Sequence, residues 1–174
     1  MLVRRFSGMD ALSEMFEYEL ELITETAQVK RDDLVGQKVT VEVETAKGAY
    51  RYFHGFVNSF AQVQDDTSFS AYRISVVPWC WFLTRNSNSR IWEEKTVPDI
   101  IKEVFAGLGF SDYDFRTTAT YPVLTYCVQY RESDFDFVSR LMEHEGIYYY
   151  FLHEDGKHTM VLTDSASSHD PVPG

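Results

Sequence analysis

The chain has 174 residues, 44% of them hydrophobic and 16% aromatic, which is enough for a packed core and too apolar for disorder. Its formal charge of −11 repels phosphate backbones and anionic lipid surfaces, so neither nucleic acid nor a membrane is an expected partner. Cys80 and Cys127 lie in apolar stretches with no Cys-x-x-Cys spacing, which excludes a disulfide framework and points to buried thiols. No stretch approaches the roughly 18 apolar residues of a membrane span. The opening MLVRRFSGMDAL lacks the apolar core of a secretory signal.

In chain order, Phe16, Tyr18, Leu20 and Leu22 alternate with Glu17, Glu19 and Glu21, which predicts a half-buried strand. Asp32 to Gly36 reads as a short helical or looped link. Val39, Val41 and Val43 alternate with polar residues in a second strand. Lys47-Gly48 turns into an aromatic strand from Tyr50 to Phe60, where Gly55 suggests a bulge or a bend. After a polar turn at Gln64 to Thr67, Phe69 to Val77 alternates again and Pro78 ends it. Strands joined by short turns, with no crossover helix, favour an antiparallel sandwich or barrel.

The character changes near Ile91. Thr96, Pro98 and Asp99 form a helix start, followed by Val97, Ile100, Ile101, Val104, Phe105 and Leu108 at helical spacing and closed by Gly107 and Gly109. Ser133 and Asp136 begin a second helix with an apolar stripe of Phe137, Val138, Leu141 and Met142, ended by Gly146. Ile147 to Leu152 and Thr159 to Leu162 read as strands joined through Asp155-Gly156. The expected fold is mainly β with α+β. An incomplete antiparallel barrel-like domain at 1–90 precedes a small α+β domain at 91–162, with a poorly ordered linker or returning segment at 163–174.

No pattern calls for a cofactor or for catalysis. Gly107 and Gly109 end a helix, whereas a phosphate cradle needs glycines that open one. His144-Glu145 begins like a zinc-protease motif, but Tyr148 stands where the second histidine would lie. His153 and His158 flank a hairpin turn and could face each other, yet no third metal ligand is evident, and they read as surface or capping histidines. Glu132, Asp134, Asp136, Glu143 and Glu145 crowd the second helix; Asp134 and Asp136 suit its N-terminal turn, and the group reads as a solvated face with Arg131 and Arg140 as partners. There is no Gly-x-Ser-x-Gly, and neither cysteine has an activating setting. The feature that points outward is Tyr148, Tyr149, Tyr150 and Phe151. A strand aromatic on both faces must be covered on both, by the second helix on one side and on the other by this chain or by a neighbour.

The stretch YCVQYRESDFDFVSRLMEHEGIYYYFLHEDGKHTMVLTD resembles the signature of VgrG, the spike protein family of bacterial type VI secretion systems. LSEMFEYELEL, LVGQKVTVEVE, RYFHGFVNSF and YRISVVPWCWFLTRNSNSRIWEEKTVPDII agree, in the family's order, over essentially the whole chain. The resemblance implies part of a phage-baseplate-hub-like module with no enzymatic activity. It implies a homotrimer that docks on the hexameric Hcp tube, with a PAAR tip protein and effectors carried by parts beyond this stretch. It implies assembly in the bacterial cytoplasm, then export by contractile injection without a signal peptide. A phage tail baseplate hub or late control protein of the same fold is the alternative, and a carboxylate-dependent cell-wall hydrolase a more distant one.

Overall fold

The computed structural model of the chain describes residues 1–25, 29–65 and 69–169. Two units are formed: Met1–Trp79 with His153–His158, and Cys80–Leu152 with Thr159–Gly174. The boundary expected near Ile91 thus falls earlier, at Cys80. The reason is a strand at Ser87–Lys95 that pairs along its length with Leu124–Ser133, which commits the chain to the second unit before Ile91. The expected linker is also partly structured. Thr163 completes the last strand and Ala166–Ser168 form a 3-10 turn; residues 170–174 lie outside the described residues.

The first unit is an open, curled antiparallel half-barrel, as expected. Its strands are β1 (Leu2–Met9), β2 (Glu17–Thr24), β3 (Lys38–Glu44), β4 (Tyr50–Asp65) and β5 (Ser70–Val77), in the spatial order β1-β2-β5-β4-β3. The β2 alternation resolves as anticipated. Phe16, Tyr18, Leu20 and Leu22 are buried, while Arg73 of β5 reaches across to Glu19 and Glu21 on the wet face. β1 was not foreseen. It is an edge strand exposed at nearly every position, and only Phe6 turns inward, against Tyr18 and Phe53. Arg31–Asp33 form the short helical link. Asp66 and Thr67 of the expected polar turn lie outside the described residues.

Gly55 does not mark a bulge. It pairs in register with Val39, and the irregularities of β4 fall at Val57/Ser59 and Gln62/Gln64. A Cβ at position 55 would lie 2.6 Å from Val76 Cγ1 and 2.8 Å from the Val77 carbonyl oxygen, so glycine is required by close backbone approach.

The second unit contains β6 (Ser87–Lys95), α1 (Val97–Gly107), β7 (Tyr113–Arg116), β8 (Leu124–Ser133), α2 (Asp134–Glu145) and the stems of β9 (Tyr148–Glu154) and β10 (Lys157–Thr163). Both helices start as the sequence predicts: the Thr96 and Ser133 hydroxyls accept the Asp99 and Asp136 amides. Gly146 closes α2 at φ 69°. Val97, Ile100, Ile101, Val104 and Phe105 of α1 are buried, as are Phe137, Val138, Leu141 and Met142 of α2. Leu108 sits past the end of α1 and is exposed rather than part of the stripe. β6 and β8 form a two-stranded antiparallel ribbon, with Trp92 stacked on Phe137 at 4.8 Å. β7 runs parallel to β10 in the sheet β7-β10-β9.

Candidate functional site

The tyrosine run lies on β9. Tyr149 and Phe151 are buried, and Tyr148 and Tyr150 on the other face are half-buried. That second face is covered in part by this chain. His169 stacks on Tyr148 and Tyr150 at 5.6 and 4.8 Å, the Tyr148 hydroxyl meets His169 Nε2 at 2.9 Å, and the Tyr150 hydroxyl donates to the Ser168 carbonyl. The segment after β10 therefore returns over the tyrosines.

The histidines differ most from expectation. His153 and His158 are not surface or capping residues: His158 is buried, the His153 side chain is only 9% exposed, and His54 of β4, also buried, joins them inside the first unit. Pairing of β4 with β5 begins only at Phe56↔Val77, and beyond that point the His54 amide donates to His153 Nδ1 at 3.1 Å. The Trp79 amide donates to His158 Nε2 at 3.0 Å, and His158 Nδ1 meets His54 Nδ1 at 2.8 Å. Phe16 lies against His153 and His158. These partners dictate the tautomers. His158 accepts at Nε2, so its Nδ1 carries the proton and donates to His54 Nδ1. His153 accepts at Nδ1, so its Nε2–H donates to the Tyr18 oxygen at 3.1 Å, and Tyr18 in turn donates to Asp10. Burial, then the neighbouring His54, lower the His153 pKa to about 4. Burial, His54, His153 and Lys38 lower that of His158 to about 3.

Three imidazoles invite a metal reading, but His153 Nδ1 and His158 Nε2 already accept backbone amides, and the Nδ1 atoms of His54 and His158 face each other. Two nitrogens sharing a tetrahedral zinc would stand about 3.3 Å apart and aim at a common point. Among the described residues, no three His, Cys, Asp or Glu side chains converge in that way. Sequence reasoning missed the cluster because His54 is separated from the hairpin by about a hundred residues, and only the fold brings them together.

One acid also departs from expectation. Asp134 is not on a solvated face: its side chain is 2% exposed. Asn86, Asn88, Gln129 and Arg90 all donate to it. Burial pushes its carboxyl up, but those donors outweigh the effect and hold its pKa below the usual value. This carboxylate pins the start of α2 to the β6–β8 ribbon. Glu132 pairs with Arg140 as anticipated, whereas Arg131 lies over the Tyr130 ring. A second clasp is Asp164, which accepts from the Thr118 and Ala119 amides and the Tyr121 hydroxyl; despite partial burial its pKa is held at about 2. The Cys80 thiol is buried and its pKa raised by burial, as is that of Cys127, so neither is activated for attack.

The outward face of the β6–β8 ribbon is apolar. Ile91, Tyr126, Val128 and Tyr130 are exposed by 41 to 64%, while the inward face carries Trp92, Cys127 and Gln129.

The sequence profile of the phage tail baseplate hub (GPD) matches residues 9–174. The chain belongs to this baseplate hub family. Among its curated relatives, the type VI secretion system spike protein VgrG1b of Pseudomonas aeruginosa is 45% identical over 171 residues, covering 98% of this chain and 23% of that protein. VgrG1a of the same organism is 44% identical, covering 97% of this chain and 26% of the relative. A solved structure of the E. coli c3393 protein, described as a component of the type VI secretion system, superposes with a TM-score of 0.90 at 24% identity. It covers 97% of this chain and 47% of that one, and it shows a shared fold. The hub-family chain thus spans about a quarter of the length of these curated relatives. The resemblance to VgrG read from the sequence holds.

Proposed function

We propose that this chain is a structural, non-enzymatic part of a type VI secretion spike. In this reading it belongs to the hub of a trimeric base that docks on the Hcp tube and helps deliver effectors by contractile injection. The observation that carries it is the 45% identity to a spike protein across 98% of the chain, within a baseplate hub family. Supporting it, the Asp134 and Asp164 carboxylates are held by structural donors, burial raises both thiol pKa values, and the imidazoles bond to backbone amides and to each other. The exposed apolar face of the β6–β8 ribbon fits a protein that works by assembly. Of the four aromatic residues read as an interface, Tyr148 and Tyr150 are the two still accessible enough to meet a neighbouring copy. A PAAR tip and effectors would be carried by parts of such a protein outside this stretch, and export without a signal peptide follows from the same reading.

The test is an assay of the purified protein against peptidoglycan, glycan and peptide substrates. No turnover is expected; robust hydrolysis abolished by one carboxylate substitution would establish the hydrolase instead. The same fold in a phage tail is the second reading, favoured by the family's description. The identity to secretion spikes weighs against it, and co-assembly with a secretion tube rather than a phage tail tube decides between them.

A further inference from the structure

We infer that the tip of the β9–β10 hairpin is a proton-operated latch, seated on the first unit's sheet only while its imidazoles are neutral. The tip, His153–His158, is held by side chains whose hydrogen-bond roles allow no extra proton. The Trp79 amide points at His158 Nε2 at 3.0 Å, and the His54 amide points at His153 Nδ1 at 3.1 Å. Protonating either ring places N–H against N–H at that distance. The donor loses its acceptor and a buried cation is created among Phe16, Tyr18, Phe53 and Phe56. The His158–His54 contact at 2.8 Å tolerates one proton between two nitrogens and not two.

The surroundings set which ring is the more sensitive. His158 faces His54 and His153 and lies in the field of Lys38 from β3, so a charge there meets like charge. His153 faces Arg51 and His54 from β4, Tyr18 from β2 and Asp10 from the β1–β2 connection, the last at 3.9 Å. Asp10 would partly offset a cation on His153, but its own pKa is raised by burial, which weakens that offset as pH falls. A further tie of the tip is the Gly156 amide, which donates to Thr40 Oγ1 at 3.2 Å. Opening lets the imidazoles return to the ordinary histidine pKa of 6.5. The opening equilibrium then grows about tenfold per pH unit below that value for each ring released.

Residue-resolved hydrogen exchange on the full chain tests this between pH 7.5 and pH 5, corrected for intrinsic exchange chemistry. Protection of the Trp79 and His54 amides should fall steeply below about pH 6.5, with a slope between one and two protons. Amides of β2 and β5, such as Leu20 and Ile74, should stay protected. His158→Gln keeps an acceptor for the Trp79 amide but does not titrate, and should lower the slope by about one proton. Should that variant fail to fold, nitrogen shifts of the wild-type rings replace it: neutral His158 with Nδ1–H and neutral His153 with Nε2–H are expected at pH 6. Flat protection at both amides, loss of protection across the whole sheet together, or a seated His158 imidazolium at pH 6 would each overturn the latch.

Discussion

Asp134 shows how one carboxylate can organise a local structure. A buried charge is costly alone, and here the cost is offset by four side-chain donors: Asn86 just before β6, Asn88 and Arg90 of β6, and Gln129 of β8. Asp134→Ala would leave those donors facing an empty site, with an expected loss of about 2–4 kcal/mol in urea unfolding. The histidines make a separate demand, on pH. Folded pKa values of about 4 and about 3 lie below the ordinary 6.5, so the fold binds fewer protons than the unfolded chain. Their stabilisation is complete above pH 6.5 and is lost as pH falls through 4 and 3. Denaturant midpoints should therefore drop between pH 7 and pH 5, and the drop should shrink in His158→Gln. None of this was legible residue by residue. The acid-rich start of α2 has the look of a solvated helix terminus, and only the register of β6 with β8 brings Asn86, Asn88 and Arg90 to Asp134.

At the scale of elements, what could be read depended on whether local chemistry and burial agreed. The helices were legible because caps, stripe and terminating glycine sit within a dozen residues of one another. Ser133→Ala should cost about 1 kcal/mol, measured as a shift in unfolding midpoint with unchanged slope. β2 was legible because its acids face water and its aromatics face the core. β1 was not, since an edge strand wet on both faces has no alternation to show. The β6–β8 ribbon inverts the usual pattern: Gln129 and the Asn and Arg side chains that hold Asp134 point inward, while Ile91, Tyr126, Val128 and Tyr130 face out. A sequence rule that places apolar residues inside misreads such a ribbon. The tyrosine strand was correctly read as aromatic on both faces, but the return of His169 over it depends on a turn after β10 that no periodicity marks.

At the scale of the whole molecule, the proposed role in assembly rests on the family shown by residues 9–174 and on the exposed apolar residues of the β6–β8 ribbon. The chain spans about a quarter of its curated relatives, and the assembly proposed for it is that of a spike of their length. The most direct measurement is native mass spectrometry of a purified spike of that length carrying this stretch, alone and mixed with the hexameric tube protein. The account predicts a trimer that binds one tube ring. A monomer that ignores the ring would contradict it.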